Sequence, residues 1–100
     1  MRRRAVLTRE AEGDIAEIVE WYENRRVGLG HTFLLHVDAG IRLLEMSPFL
    51  SPEKYHGVRQ YLLRRFPYKI FYRVTKELVI ILAVADGARD PSWVKSRLGG

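Results

Sequence analysis

Apolar residues follow two different periods along the chain, and the period changes near residue 48. Before that point they recur at steps of three and four positions, which is the spacing of one face of an amphipathic helix. After it they alternate with polar residues or form short continuous runs, which is typical of strands. The pattern predicts an α+β fold with the element order β-α-α-β-β-β-α in a single domain spanning 1–100.

Two helices are predicted in the first half. A short apolar segment, Arg4 to Thr8, favours a first strand, and the Thr8 hydroxyl can cap a helix over about 9–25. Gly28-Leu29-Gly30 interrupts the helical period, which then continues until Ser47-Pro48. Two helices joined this closely are expected to form an antiparallel hairpin that packs on the sheet.

The second half predicts a small, mainly antiparallel sheet and a short C-terminal helix. Residues 48–57 are interpreted as a loop, and strands are expected over Val58–Arg65, Tyr68–Val74 and Leu78–Ala85. Strict alternation in Tyr68–Val74 predicts one buried face, whereas the nearly unbroken apolar run Leu78–Ala85 predicts a strand covered on both faces. Asp90-Pro91 opens the last helix.

Composition narrows the compartment and the chemistry. The chain has no cysteine, so it has no disulfide or thiolate ligand, and no apolar run approaches the roughly 18 residues of a membrane span. Met1-Arg2-Arg3-Arg4 is not followed by the apolar core of a signal peptide. We therefore expect a cytoplasmic protein without a membrane partner. We also expect no metal or cofactor, because His31 and His36 are five residues apart on a helix, which places them on different faces, and His56 lies in a loop.

Charge is distributed unevenly along the sequence. Residues 10–23 contain six acids and no bases, whereas residues 54–76 contain seven bases and no acids. The second segment predicts a cationic sheet surface that faces nucleic acid, an acidic protein segment or an anionic membrane. A solvated basic face without a partner is an equally open interpretation.

Few residues suggest ordinary catalysis. No cysteine nucleophile, serine elbow or glycine-rich phosphate loop occurs in the sequence, which leaves arginine, lysine and aromatic side chains. Aromatic residues at strand spacing more often pack a sheet than bind a ligand, so core roles are favoured for Tyr61, Tyr68, Phe71 and Tyr72. Lys69 and Arg73, on the outward face of their strand, are the better binding candidates.

Three motifs along the chain are distinctive in combination. The first is the opening Leu7-Thr8-x-x-Ala11-x-x-Asp14-Ile15-x-x-Ile18. The second is Arg59 followed by Arg65-Phe66-Pro67-Tyr68-x-Ile70-x-Tyr72-x-Val74, and the third is Arg89-Asp90-Pro91-x-Trp93 with Arg97. Together these motifs resemble the RelE/ParE toxin superfamily, and more closely its ParE-like branch, over nearly the whole chain.

The resemblance implies the toxin of a type II toxin–antitoxin system, in a hetero-oligomer with a cognate acidic antitoxin. Such a toxin inhibits growth by one of two routes. A ParE-like toxin would bind and inhibit DNA gyrase without being an enzyme, through Arg89, Trp93 and Arg97 together with Lys69 and Arg73. A RelE-like toxin would be a ribosome-dependent mRNA endoribonuclease that uses Arg59, Lys69 and Arg89 around the scissile phosphate.

Departures from the RNA-cleaving branch favour the gyrase route. Gln60 and Leu62 stand where that branch has two lysines, and Trp93 or Val94 stands where it has a tyrosine. An indole cannot transfer a proton as a phenol can. A third interpretation is a member that has lost toxicity and remains as an antitoxin-binding or nucleic-acid-binding domain.

Overall fold

The structure is a computed structural model that describes residues 2–97. Its elements follow the predicted order with one additional strand. They are β1 (Arg4–Leu7), α1 (Arg9–Arg25), α2 (Leu29–Met46), β2 (Glu53–Tyr55), β3 (Val58–Leu62), β4 (Tyr68–Val74), β5 (Leu78–Asp86) and α3 (Pro91–Arg97). The predicted α+β class and the helical hairpin are confirmed.

All five strands belong to one mixed sheet in the order β1-β5-β4-β3-β2. β1 runs parallel to β5, and the other neighbouring pairs are antiparallel. β5 therefore has a strand on each side and a helical layer on each face. This position explains why its sequence is apolar almost without interruption.

The helical hairpin covers one face of the sheet, which we call the hairpin face. Phe33 and Val37 of α2 are fully buried there against Ile70 and Tyr72 of β4. A Cβ added at Gly40 would lie 3.1 Å from the Ile70 Cδ1 atom, so glycine at this position permits the close approach of α2 to the sheet. Most of the apolar core lies in this layer.

Thr8 links β1 to α1 as the sequence predicts. Its Oγ1 atom accepts a hydrogen bond from the Ala11 N–H at 3.1 Å, which satisfies one of the free donors at the start of α1. The same hydroxyl donates to the Leu82 carbonyl at 3.2 Å. The helix cap is thereby also a contact between α1 and β5.

The opposite face of the sheet, which we call the α3 face, is covered in its middle by the short helix α3. Val94 and Phe71 are fully buried there, in one apolar cluster with the buried residues Val58, Leu82 and Ala83. The expectation of one buried face for Tyr68–Val74 is therefore wrong at Phe71. The alternation itself holds, but α3 returns to the sheet and covers the central outward-facing residue.

An edge strand lies inside the segment interpreted as a loop. β2 pairs with β3 through a two-residue connection, His56 and Gly57, whose φ angles are 47° and 80°. Positive φ at both positions is the requirement of a type I′ turn, which matches the twist of a hairpin. The following strand ends at Leu62, three residues before the predicted Arg65. Within residues 2–97 no helix is long and apolar enough to cross a membrane.

Candidate target-binding site

Arg89 and Trp93 lie together where the chain leaves β5 and enters α3. The Arg89 guanidinium is 5.1 Å from the centre of the Trp93 ring, which is the distance of a cation–π contact. Arg89 is exposed and Trp93 is half-buried, with its ring centre 6.4 Å from that of Phe71. The pair therefore presents a cation and the edge of an aromatic ring to solvent, and the buried Phe71 ring supports them from below.

Asp90 fixes the start of α3. Its Oδ1 atom accepts hydrogen bonds from the Ser92 N–H at 3.0 Å and from the Ser92 hydroxyl. These bonds, the hydroxyl bond foremost, lower the pKa of Asp90 below its usual value. The Asp-Pro start predicted from sequence is confirmed, and it sets the position of Trp93 three residues later.

Arg97 attaches α3 to α1 through a two-pronged ion pair with Asp14. The guanidinium donates to the two carboxylate oxygens at 2.5 and 2.7 Å, and the side chains of Arg97 and Asp14 are only 25% and 14% exposed. The hydrogen bonds to Asp14 raise the pKa of Arg97 above its usual value. The charge of Arg97 is thus paired with Asp14 of α1. Arg97 contributes to the binding surface by holding α3 in position.

Asp14 also joins α1 to the free part of the β5 edge. β1 pairs with β5 only as far as Ile81, and the Val84 N–H beyond it donates to the Asp14 Oδ2 atom at 3.0 Å. The carboxylate therefore substitutes for a strand where β1 ends. The sequence marked Asp14 as one acid of a motif, and its role as this junction follows only from the tertiary structure.

Lys69 lies beside the Arg89–Trp93 pair but has fixed partners. Its Nζ atom donates to the Arg89 carbonyl at 3.1 Å and to the Gln60 Oε1 atom at 3.3 Å. Its charge adds to the positive field around Arg89, and its hydrogen bonds hold the β5–α3 connection against β3 and β4.

Arg73 is on the same sheet face as Lys69 but is separated from it. Four residues along a strand correspond to about 13 Å, and the buried ring of Phe71 lies between them under α3. The Arg73 guanidinium donates to the His56 carbonyl at 3.2 Å, next to the β2–β3 turn. Among the predicted contact residues, Lys69, Arg89, Trp93 and Arg97 come together and Arg73 lies apart.

Arg59 points to the hairpin face. It pairs in register with Tyr72, whose ring belongs to the hairpin-face core, and its Nη1 atom donates to the Ser51 carbonyl at 2.7 Å. The sheet therefore separates Arg59 from Lys69 and Arg89. The three residues expected around a scissile phosphate are not assembled in this structure.

The expected single cationic surface between residues 54 and 76 is wrong. The segment does form neighbouring strands, but side chains alternate between the two faces, and the remaining bases lie in connections. Arg64 and Arg65 precede β4 while Lys76 follows it, so they are at opposite ends of a strand about 23 Å long. A run of charges in sequence becomes several separate charges in space.

A groove of about 520 Å³ adjoins the Arg89–Trp93 pair. Trp93 and Arg89 line one side, and Trp21 of α1 lines the other, with Tyr68 and Val84 also contributing. Sequence reasoning did not include Trp21, although an exposed tryptophan on the polar face of a helix was a visible signal. The carboxylates of α1 that line this groove give it a mixed charge.

Sequence comparison decides the family. Residues 5–91 match the family described as ParE toxin of type II toxin-antitoxin system, parDE. The chain belongs to the ParE toxin family. The expected RelE/ParE membership and its ParE-like branch are confirmed, and the protein is the toxin of a parDE system, which pairs it with an antitoxin.

Individual proteins agree with this assignment. The chain is 29% identical over 101 residues to Toxin ParE2 of Mycobacterium tuberculosis, in strains CDC 1551 and H37Rv, and the alignment covers 100% of this chain and 96% of that protein. Its fold is similar to a solved structure titled "Chromosomal ParDE TA system from P. aeruginosa", with a TM-score of 0.76 and 20% identity, over 85% of this chain and 96% of the other.

Proposed function

We propose that this ParE toxin acts by binding and inhibiting DNA gyrase and not by cleaving RNA. The observation that carries the proposal is the Arg89–Trp93 pair at the start of α3, which the Asp14–Arg97 ion pair holds in place. The pair stands beside a groove, so a protein partner can insert a side chain next to it.

The residue types of this surface suit protein recognition. Tryptophan and arginine contribute more than their share of binding energy at protein interfaces, especially where a rigid pocket excludes water. Trp93 is backed by Phe71, and Arg89 rests over its ring. Both side chains are thus partly ordered before binding, which reduces the entropy lost on association.

The same surface lacks the arrangement that phosphodiester cleavage needs. Cleavage requires cations around one phosphate and a positioned acid–base group. Within residues 2–97, Arg59 is on the other sheet face, Lys69 donates to two oxygens of the protein, and neither Trp93 nor Val94 supplies the phenol of the RNA-cleaving branch. These features support a binding role over an enzymatic one.

A supercoiling assay tests the proposal. Purified toxin added to gyrase, ATP and relaxed plasmid is expected to reduce the supercoiled product at micromolar concentration, and addition of its antitoxin is expected to restore it. Unchanged supercoiling at that concentration would contradict gyrase as the target.

Two further measurements separate the other interpretations. Primer extension on translated messages after induction is expected to show no new 5′ ends, whereas new ends would favour the endoribonuclease. Growth after induction without antitoxin is expected to stop, whereas normal growth would favour a domain that has lost toxicity.

A further inference from the structure

An exposed apolar and cationic surface lies at the C-terminal end of α2, on the other side of the sheet from Arg89. We define the Phe49 surface as Arg3, Met46, Phe49, Leu50 and Arg59. Met46, Phe49 and Leu50 are 71%, 58% and 52% exposed and lie within five residues at the end of α2 and in the turn after it. Large apolar side chains this exposed and this close together usually mark a contact surface.

Two guanidinium groups lie against the Phe49 ring. Those of Arg3 and Arg59 are 5.1 and 4.9 Å from the ring centre. Each is also held by a backbone carbonyl, because Arg3 Nε donates to Thr75 at 2.9 Å and Arg59 Nη1 donates to Ser51 at 2.7 Å. The cations are therefore fixed in place next to the apolar patch.

The charges of these two arginines are not neutralised by other residues that the structure describes. The ion pairs within residues 2–97 join Arg2 to Glu45, Arg42 to Asp38 and Arg97 to Asp14. Each guanidinium of the Phe49 surface retains N–H groups beyond the one bonded to a carbonyl. Such a group binds a carboxylate or phosphate with good geometry.

The apolar part of the surface favours a protein segment over nucleic acid. Bases bind by stacking on aromatic faces, but here guanidinium groups already lie over the one ring, and Met46 and Leu50 are aliphatic. An acidic amphipathic segment would satisfy both parts, with carboxylates on Arg3 and Arg59 and apolar side chains on Met46, Phe49 and Leu50. A second copy would place like charges against one another.

We infer that the Phe49 surface is a docking site for an acidic amphipathic segment of the antitoxin. The inference rests on the antitoxin partner of the ParE family and is independent of gyrase as the target. It places neutralisation on the hairpin face, near Tyr72 and Thr75, and target binding on the α3 face, beside Lys69. The two surfaces can therefore be disabled separately.

Titration calorimetry with the cognate antitoxin tests the inference. Phe49→Ser and Arg3→Glu are each expected to weaken the complex at least about tenfold, because central aromatic and arginine contacts dominate interfaces. Val27→Ser and Arg26→Glu are matched controls in the connection between α1 and α2, where Val27 is 91% exposed. The controls are expected to stay within about twofold of wild type.

Unchanged affinity in both surface variants would overturn the inference. Far-UV circular dichroism and thermal melting check that each variant folds. If Phe49→Ser melts early, Met46→Ser with Leu50→Ser replaces it, since both side chains are mostly exposed. Higher salt is expected to weaken the wild-type complex more than the Arg3→Glu complex.

Two other occupants give different results. Tight binding of a labelled single-stranded RNA that Arg3→Glu abolishes would assign the surface to nucleic acid. A dimer of the isolated toxin in sedimentation that Phe49→Ser dissociates would assign it to a second copy. Either result would overturn the antitoxin assignment.

Supercoiling inhibition separates this inference from the proposed function. Phe49→Ser is expected to inhibit gyrase as wild type does, while losing protection by the antitoxin. If wild type leaves gyrase unaffected, the target proposal fails but the calorimetric test still decides the docking site.

Discussion

The two faces of the sheet are covered in very different ways. The hairpin face lies under two long helices, and its contacts are large buried side chains such as Phe33, Leu44 and Tyr72. The α3 face lies under seven residues, of which only Val94 is fully buried. The other contacts of α3 include the half-buried Trp93 ring beside Phe71, the Asp90 cap and the Asp14–Arg97 ion pair.

Because of this difference, we expect the hairpin face to determine the stability of the domain and the α3 face to determine target binding. A seven-residue helix is far too short to form alone, so α3 depends on the few contacts that attach it. Arg89 and Trp93 lie on or next to that helix. We expect substitutions on the hairpin face to reduce the stability of the whole domain, and substitutions that release α3 to reduce target binding first.

The largest effect is expected from Phe33→Ala. Phe33 of α2 is fully buried against the sheet, so its loss leaves a cavity and should reduce the free energy of unfolding by about 3–5 kcal/mol. Urea unfolding followed by circular dichroism measures this change. Leu35→Ala on the exposed side of the same helix is the control, and an equal loss in both variants would contradict the assignment of the core.

Asp14→Asn should have the next largest effect. An amide keeps hydrogen bonding but loses the charge that holds Arg97, and we expect a loss of about 1–3 kcal/mol because this pair is largely shielded from water. Hydrogen exchange should show faster exchange of amides in 91–97 while the hairpin stays protected.

Asp38→Asn is the matched control for Asp14→Asn. Asp38 pairs with Arg42 on the exposed surface of α2, where such pairs contribute about 0.5 kcal/mol or less. If both variants leave exchange in 91–97 unchanged, Asp14 does not hold α3.

A smaller, pH-dependent effect is expected at Glu45. The Ala5 N–H, at 2.7 Å, and Arg2 lower the pKa of Glu45 from its ordinary value of 4.5. Because the folded pKa is depressed, the stabilisation is present above about pH 4.5 and is lost as the pH falls through the folded value. Melting temperature against pH should therefore fall less steeply in acid for Glu45→Gln, and parallel curves would contradict the role of this carboxylate.

Local periodicity was enough to predict most elements. The helix caps and strand faces followed from sequence because they depend on backbone geometry within a few residues. Examples are the caps at Thr8 and Asp90-Pro91 and the alternation in Tyr68–Val74. β2 was not predicted because Glu53–Tyr55 is short, fully exposed and without an apolar pattern. Its position depends on the His56-Gly57 turn, in which a histidine takes a positive φ.

The candidate site was predictable in its residue types and not in its geometry. The Arg-Asp-Pro-x-Trp motif marked Arg89 and Trp93. Arg73 was grouped with them as an outward-facing base of its strand, and Arg59 was grouped with Arg89 only for the RNA-cleaving alternative. Side chains of neighbouring strands meet only if their register puts them on one face, and that register is set by tertiary pairing. The Asp14–Arg97 ion pair joins residues 83 positions apart, which no local pattern indicates.

The most direct test of the account compares two exposed arginines in the supercoiling assay. Arg89→Glu is expected to raise the concentration for half-maximal inhibition of gyrase at least about tenfold, equivalent to about 1.4 kcal/mol, because it reverses the charge beside Trp93. Arg26→Glu, in the connection before α2, is expected to stay within about twofold of wild type. Equal inhibition by wild type, Arg89→Glu and Arg26→Glu would contradict α3 as the target-binding surface.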